Sequence, residues 1–113
     1  MATRLPASLE VSALIRAVQA EGGFATVLAK GEPDAGTIAL VLLDHGGRAR
    51  LYERMPTPDG DRAWTCTLEQ EQLTNQEFND IIDRRRQRDP DLWIVELDIP
   101  QAERFVVEPI ARG

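Results

Sequence analysis

Thr37-Ile38-Ala39-Leu40-Val41-Leu42-Leu43-Asp44-His45-Gly46-Gly47-Arg48-Ala49-Arg50-Leu51-Tyr52-Glu53-Arg54-Met55 is the stretch whose reading decides the fold. From Thr37 to Leu43 apolar residues stand at odd and even positions alike, the pattern of a strand covered on both faces. Asp44-His45-Gly46-Gly47 then reads as a hairpin turn, because its glycines adopt positive φ without strain. From Arg48 to Met55 the pattern alternates: Ala49, Leu51 and Met55 fall on one side, Arg48, Arg50, Tyr52 and Arg54 on the other. A two-sided apolar strand that turns tightly into an alternating one predicts an antiparallel pair.

Working outward, Phe24 to Lys30 reads as a first strand and Arg62 to Leu68 as a fourth. Lys30-Gly31-Glu32-Pro33-Asp34-Ala35-Gly36 and Pro56-Thr57-Pro58-Asp59-Gly60-Asp61 are the polar, turn-forming segments between them. Short connections predict that the four strands form an antiparallel meander. Next comes Leu73-Thr74-Asn75-Gln76-Glu77-Phe78, which matches a capping box with Thr74 as N-cap and Glu77 at N3. Leu73 and Phe78 would staple that helix start, Ile81 and Ile82 continue its apolar stripe, and Pro90 ends it.

Leu92 to Ile99 is a second strand apolar on both faces. Pro100-Gln101-Ala102-Glu103 turns the chain, and Arg104 to Glu108 reads as a last short strand. Upstream, Val11, Leu14, Ile15 and Val18 recur at helical spacing before Gly22-Gly23, predicting a helix over 9–21 with Ser8 as N-cap. The alternation of Val11, Ala13, Ile15 and Ala17 leaves a strand open there. The order α-β-β-β-β-α-β-β, with strands in a run, predicts an α+β fold. We expect a mostly antiparallel five- or six-stranded sheet with Thr37–Leu43 and Leu92–Ile99 at its centre and two helices on one face.

Length and composition fit a single globular domain over 1–113. The chain is 42% hydrophobic and 28% charged, ordinary values for a folded domain of ~100–150 residues. Thirteen Lys+Arg against nineteen Asp+Glu give a net charge of −6. Residues 1–56 carry six of each sign, so the whole excess lies in 57–113, seven basic against thirteen acidic. That balance repels phosphate backbones and weighs against nucleic acid. The only cysteine, Cys66, excludes an intrachain disulfide and points to a reducing cytoplasm. Met1 to Glu10 has no apolar h-region. The longest apolar run, Ile38–Leu43, is six residues, far short of the ~20 a membrane span needs.

Two stretches carry a family resemblance: Lys30-Gly31-Glu32-Pro33-Asp34-Ala35-Gly36, and Arg88-Asp89-Pro90-Asp91-Leu92-Trp93-Ile94-Val95-Glu96. With the Val11-Ser12-Ala13-Leu14-Ile15-Arg16 opening and Gly22-Gly23-Phe24, the chain resembles the domain of unknown function 1491 family of small alphaproteobacterial proteins. The resemblance implies an alphaproteobacterial source, which suits a chain whose basic residues are all arginine except Lys30. It implies no reaction, ligand or catalytic residue.

The residues themselves offer few catalytic sets. His45, the only histidine, sits in a turn and has no orienting partner. Cys66 lies mid-strand, where a cysteine is a small apolar residue unless a cation lowers its pKa. One His and one Cys have no ligand-type spacing, so no metal is expected, nor any other cofactor.

The leading expectation is a non-enzymatic protein-interaction or regulatory module with a protein partner. Its candidate binding face is Arg48, Arg50, Tyr52 and Arg54 with Trp64 from the next strand, a composition enriched at binding hot spots. Whether the two strands present these residues on one side depends on the hairpin register. The first alternative is a small enzyme or anion-binding protein using the Lys30–Gly36 loop, with Lys30, Arg85 and Arg86 around the anion. The second is an RNA-binding accessory protein that stacks bases on the same Tyr/Trp/Arg face. An edge strand such as Arg62–Leu68 also offers a pairing surface for a homodimer.

Overall fold

Val11, Leu14, Ile15 and Val18 fold the first element, α1 (Ala7–Ala20), against a sheet in a computed structural model of the chain. The structure describes residues 5–43, 48–71 and 73–106. The helical spacing of these four residues thus prevails over their alternation, because one stripe buries more apolar area than a strand here would. Gly22 at φ 85° ends the helix, and Gly22 and Gly23 donate their N–H groups to Gln19 and Val18. The N-cap position is Pro6, not Ser8, and no side chain caps the helix.

Five strands follow: β1 (Phe24–Ala29), β2 (Ile38–Leu43), β3 (Arg50–Pro56), β4 (Arg62–Glu69) and, after the second helix, β5 (Trp93–Asp98). Their order in the sheet is β1-β5-β2-β3-β4. β2, β3 and β4 form the expected antiparallel meander. β1 does not join it: β5 enters between β1 and β2, antiparallel to β1 and parallel to β2. The two segments apolar on both faces, β2 and β5, are inner strands. The turn Asp44–Gly47, with His45, lies outside the described residues.

The second helix, α2 (Asn75–Arg88), has the predicted start. Glu77 donates its N–H to the Thr74 hydroxyl at 3.1 Å, and Thr74 donates its own to the Glu77 carboxylate at 2.8 Å. Leu73 packs on the cluster that holds Phe78.

The helices do not share a face. Ile38, Leu40 and Leu42 of β2, with Trp93, Val95 and Leu97 of β5, pack with Val11 and Val18 of α1. Ala39, Val41 and Ile94 point the other way, onto Phe78 and Ile82 of α2. Two-sided apolarity of the inner strands demands a cover on each face, and one helix supplies each. The expected strand over Arg104–Glu108 is also corrected: Ala102–Phe105 is a 3-10 turn, with Ala102 and Val106 closing the α1-side core. Among the described residues the sheet therefore has five strands, the lower of the two numbers expected.

Candidate functional site

The β3–β4 register sets Arg54 opposite Trp64 and Tyr52 opposite Cys66, with a bulge between Leu51 and Tyr52. The two sets therefore share one side of the sheet, the α1 side, where Tyr52 and Trp64 pack half-buried against the core. Arg54 lies over the Trp64 ring, 4.5 Å from its centroid, and ion-pairs with Glu10 of α1. Arg50 ion-pairs with Glu103 of the 3-10 turn. These two arginines thus tie the N-terminal helix and the C-terminal turn to β3. Arg48 is the open member, with its side chain 65% exposed and Glu71 at 3.4 Å. At this end a cleft of about 420 Å³ lies between Arg48, Arg50, Glu69, Gln70 and Glu103.

The Lys30–Gly36 loop is a clasp. Glu32 donates its N–H to the Asp91 carbonyl at 3.1 Å, and Trp93 Nε1 donates to the Glu32 carbonyl at 2.8 Å. Gly31 and Gly36 permit this approach: a Cβ on Gly31 would sit 2.7 Å from the carbonyl carbons of Asp91 and Leu92, and one on Gly36 2.7 Å from Glu32 O. The Glu32 carboxylate turns back on its own loop and accepts from Asp34 N at 3.0 Å and Ala35 N at 2.6 Å. The amides that the anion-binding reading would use already hold this internal anion. On its outer side the loop caps α1, whose Ala7 and Ser8 amides donate to Asp34 and Pro33. The helix that lacks a side-chain cap has its orphan donors satisfied by loop carbonyls.

Of the three cations in that reading, Lys30 and Arg86 line one cleft of about 460 Å³ together with Asp83, Asp89 and Leu92. Arg85 is elsewhere, ion-paired with Glu53 of β3. Arg86 stands 3.8 Å from Asp83. Two carboxylates therefore share the cleft with two cations, and its field has no single sign.

Nothing activates the Cys66 thiol: burial pushes its pKa up and Glu69 adds to this, while a hydrogen bond to Leu68 O and the charge of Arg50 oppose it only in part. The described residues contain no group of three or more His, Cys, Asp or Glu that could hold a metal ion. No helix among them is long and apolar enough to cross a membrane.

Glu96 of β5 is the one sheet carboxylate held above its ordinary pKa, first by burial and then by neighbouring Asp98. The fold thus binds its proton more tightly than the unfolded chain does. Stability from this group is greatest below the unfolded pKa and falls as pH rises through the folded one. Glu96→Gln is expected to raise Tm by roughly 2–4 °C at neutral pH and to leave it unchanged under acid conditions. Thermal melts at both pH values check this; an equal shift at both would remove the electrostatic cause.

One surface escaped the sequence reading. β1 is an outer strand of the sheet, its six residues Phe-Ala-Thr-Val-Leu-Ala carry no charge, and four of them are exposed. Phe24 is 72% exposed, Val27 40% and Leu28 37%. The signal was present as six uncharged residues in a row, but only the strand order makes them an edge.

Comparison with known proteins follows the same outline. The family described as Protein of unknown function (DUF1491) matches residues 5–107. The chain belongs to this family. A DUF1491 family protein from Caulobacter crescentus CB15 is similar in its crystal structure, with a TM-score of 0.80 and 31% identity over 93% of this chain and 97% of that one. The NMR structure of a DUF1491 family protein from the same organism gives 0.78 and 30%, over 98% and 100%. The solution structure of Atu0922 from A. tumefaciens gives 0.74 and 30%, over 98% of each chain. No curated protein is similar enough in sequence to match. The two stretches that carry the family resemblance, Lys30–Gly36 and Arg88–Glu96, are the two pieces of the clasp, which packs between β1, β2 and β5.

Proposed function

We propose that the protein is a non-enzymatic interaction module that takes an extended protein segment along the free edge of β1. The observation that supports this reading is the edge itself: outer position, no charge from Phe24 to Ala29, and Phe24 72% exposed. An outer strand offers unpaired backbone N–H and C=O groups, and natural edges are guarded by lysine, proline or an inward charge. β1 has only the register shift between Val27 and Ala29. Strand addition uses such an edge, with backbone bonds giving affinity and alternate side chains giving selection.

The Arg48, Arg50, Tyr52, Arg54 and Trp64 face contributes less to this reading, because Arg50 and Arg54 are engaged by Glu103 and Glu10. A photo-crosslinking residue placed at Leu28, and in a second variant at Arg48, separates the two faces in native extract. We expect a protein adduct through Leu28 and none through Arg48. Adducts through Arg48 alone would move the interface to β3–β4, and none at either position would overturn the module reading.

A further inference from the structure

We infer that the occupant of the β1 edge is a second copy of this chain, paired antiparallel about a two-fold axis at Thr26 into one continuous sheet. This rests on the strand-addition reading above and names its partner. In an isologous contact every surface meets itself, so a strand that pairs with its own copy must carry no charge that would meet its like. β1 satisfies this condition. The other edge, β4, carries none of the exposed large apolar side chains that β1 places at Phe24, Val27 and Leu28.

The flanking charges select the antiparallel arrangement. Glu21 precedes β1 and Lys30 follows it. Parallel copies would set Lys30 beside Lys30. Antiparallel copies centred on Thr26 set Lys30 beside the partner's Gly22, near a Glu21 carboxylate that Arg104 already holds in each copy. Lys30 has no ion pair among the described residues, so it can join that carboxylate without giving up a partner of its own.

Side-chain parity agrees. Ala25 and Val27 pair with Leu97 and Val95, which point to the α1 side, and Thr26 pairs with Glu96 on the α2 side. A two-fold axis perpendicular to the sheet keeps each face on its own side. Thr26 then meets the partner's Thr26, and Ala25 meets the partner's Val27, both favourable cross-strand pairs. Phe24 comes beside the partner's Leu28, which removes the two from water together. The total surface is 7163 Å², of which a standard interface would take about 800 Å² per partner. A six-residue edge offers less, so the contact belongs with the weak, concentration-dependent ones.

Sedimentation equilibrium of the full chain from low micromolar to millimolar concentration tests this. The average mass is expected to climb from 12.6 kDa toward twice that value, and Thr26→Lys, at an exposed position, is expected to stay at the monomer mass with an unchanged far-UV spectrum. Residues directly opposite in an antiparallel pair have Cα atoms about 4.5–5.5 Å apart, within disulfide reach. Thr26→Cys in a Cys66→Ser background should therefore oxidise to a linked dimer, whereas Thr65→Cys on β4 should not. A wild-type mass that stays at the monomer value throughout overturns the inference, as does a dimer that survives Thr26→Lys or links through Thr65→Cys. A different protein trapped at Leu28 by a monomeric chain overturns the second copy alone; no adduct at either Leu28 or Arg48 overturns the module reading as well.

Discussion

Gly31→Ala and Gly36→Ala are each expected to destabilise the fold by about 3 kcal/mol or more, the upper range for forcing atoms into a packed site. The nearest neighbours that an added methyl would meet are backbone atoms of Asp91, Leu92 and Glu32, with the Trp93 ring next at 3.0 Å from Gly36. Backbone cannot swing aside as a flexible side chain can. Relief would require the loop to lift from β5, and that would break the Glu32 N–H to Asp91 bond and uncap α1. Gly60→Ala is the matched control: it sits at φ 89° with nothing within 4 Å, so it should lose only about 1–2 kcal/mol of left-handed backbone strain. Urea unfolding of the three variants checks the ranking. Equal losses would mean that the clasp tolerates a gap.

Trp93→Ala should cost about 3–5 kcal/mol, the usual range for emptying a large buried side chain. Trp93 is 4% exposed and sits where the clasp meets the α1-side core. It also ties the loop through the Nε1–H bond to Glu32 O. Trp93→Phe separates the two contributions, since it keeps an aromatic ring and deletes the donor. Its expected cost is about 0.5–1.5 kcal/mol, the range for one hydrogen bond, because Glu32 O still accepts from the Gly36 N–H. If the two substitutions destabilise equally, the hydrogen bond and not the ring volume holds the loop.

Local chemistry made much of this fold legible. The Thr74–Glu77 box, the Gly22 stop and the two-sided apolar strands β2 and β5 each follow from forces acting over a few residues. The side of the sheet chosen by each helix was not legible, because α1 and α2 carry similar stripes and only the alternate faces of β2 and β5 sort them. Nor was the entry of β5 between β1 and β2. A loop such as Lys30–Gly36 serves a wide hairpin or a step across one strand equally well, and the choice depends on a segment some sixty residues later.

The candidate sites show the same division. Whether Arg50, Tyr52, Arg54 and Trp64 bear on one side depends on register, and the register unites them. Their engagement by Glu10 and Glu103 was not legible, because each of those pairs joins residues more than forty positions apart. The polar loop was recognised as turn chemistry. Its role as the cap of a helix that precedes it in the chain was hidden, since capping is ordinarily sought in the helix's own first residues.

The place of β5 has a consequence for synthesis. Translation delivers the chain from its N-terminus, and β1 emerges with the strand it needs still untranslated. β2, β3 and β4 can assemble among themselves and gather α2 as it appears. β1 and the clasp cannot, because both wait for Asp91 to Asp98. Until then Phe24, Val27 and Leu28 belong to a strand with neither neighbour, and the loop whose Pro33 and Asp34 carbonyls cap α1 has no Asp91 to dock on. Such long-range closure slows folding and leaves unpaired strand exposed meanwhile. A ribosome stalled before Trp93 would therefore hold a half-built sheet whose most apolar edge is open on both sides.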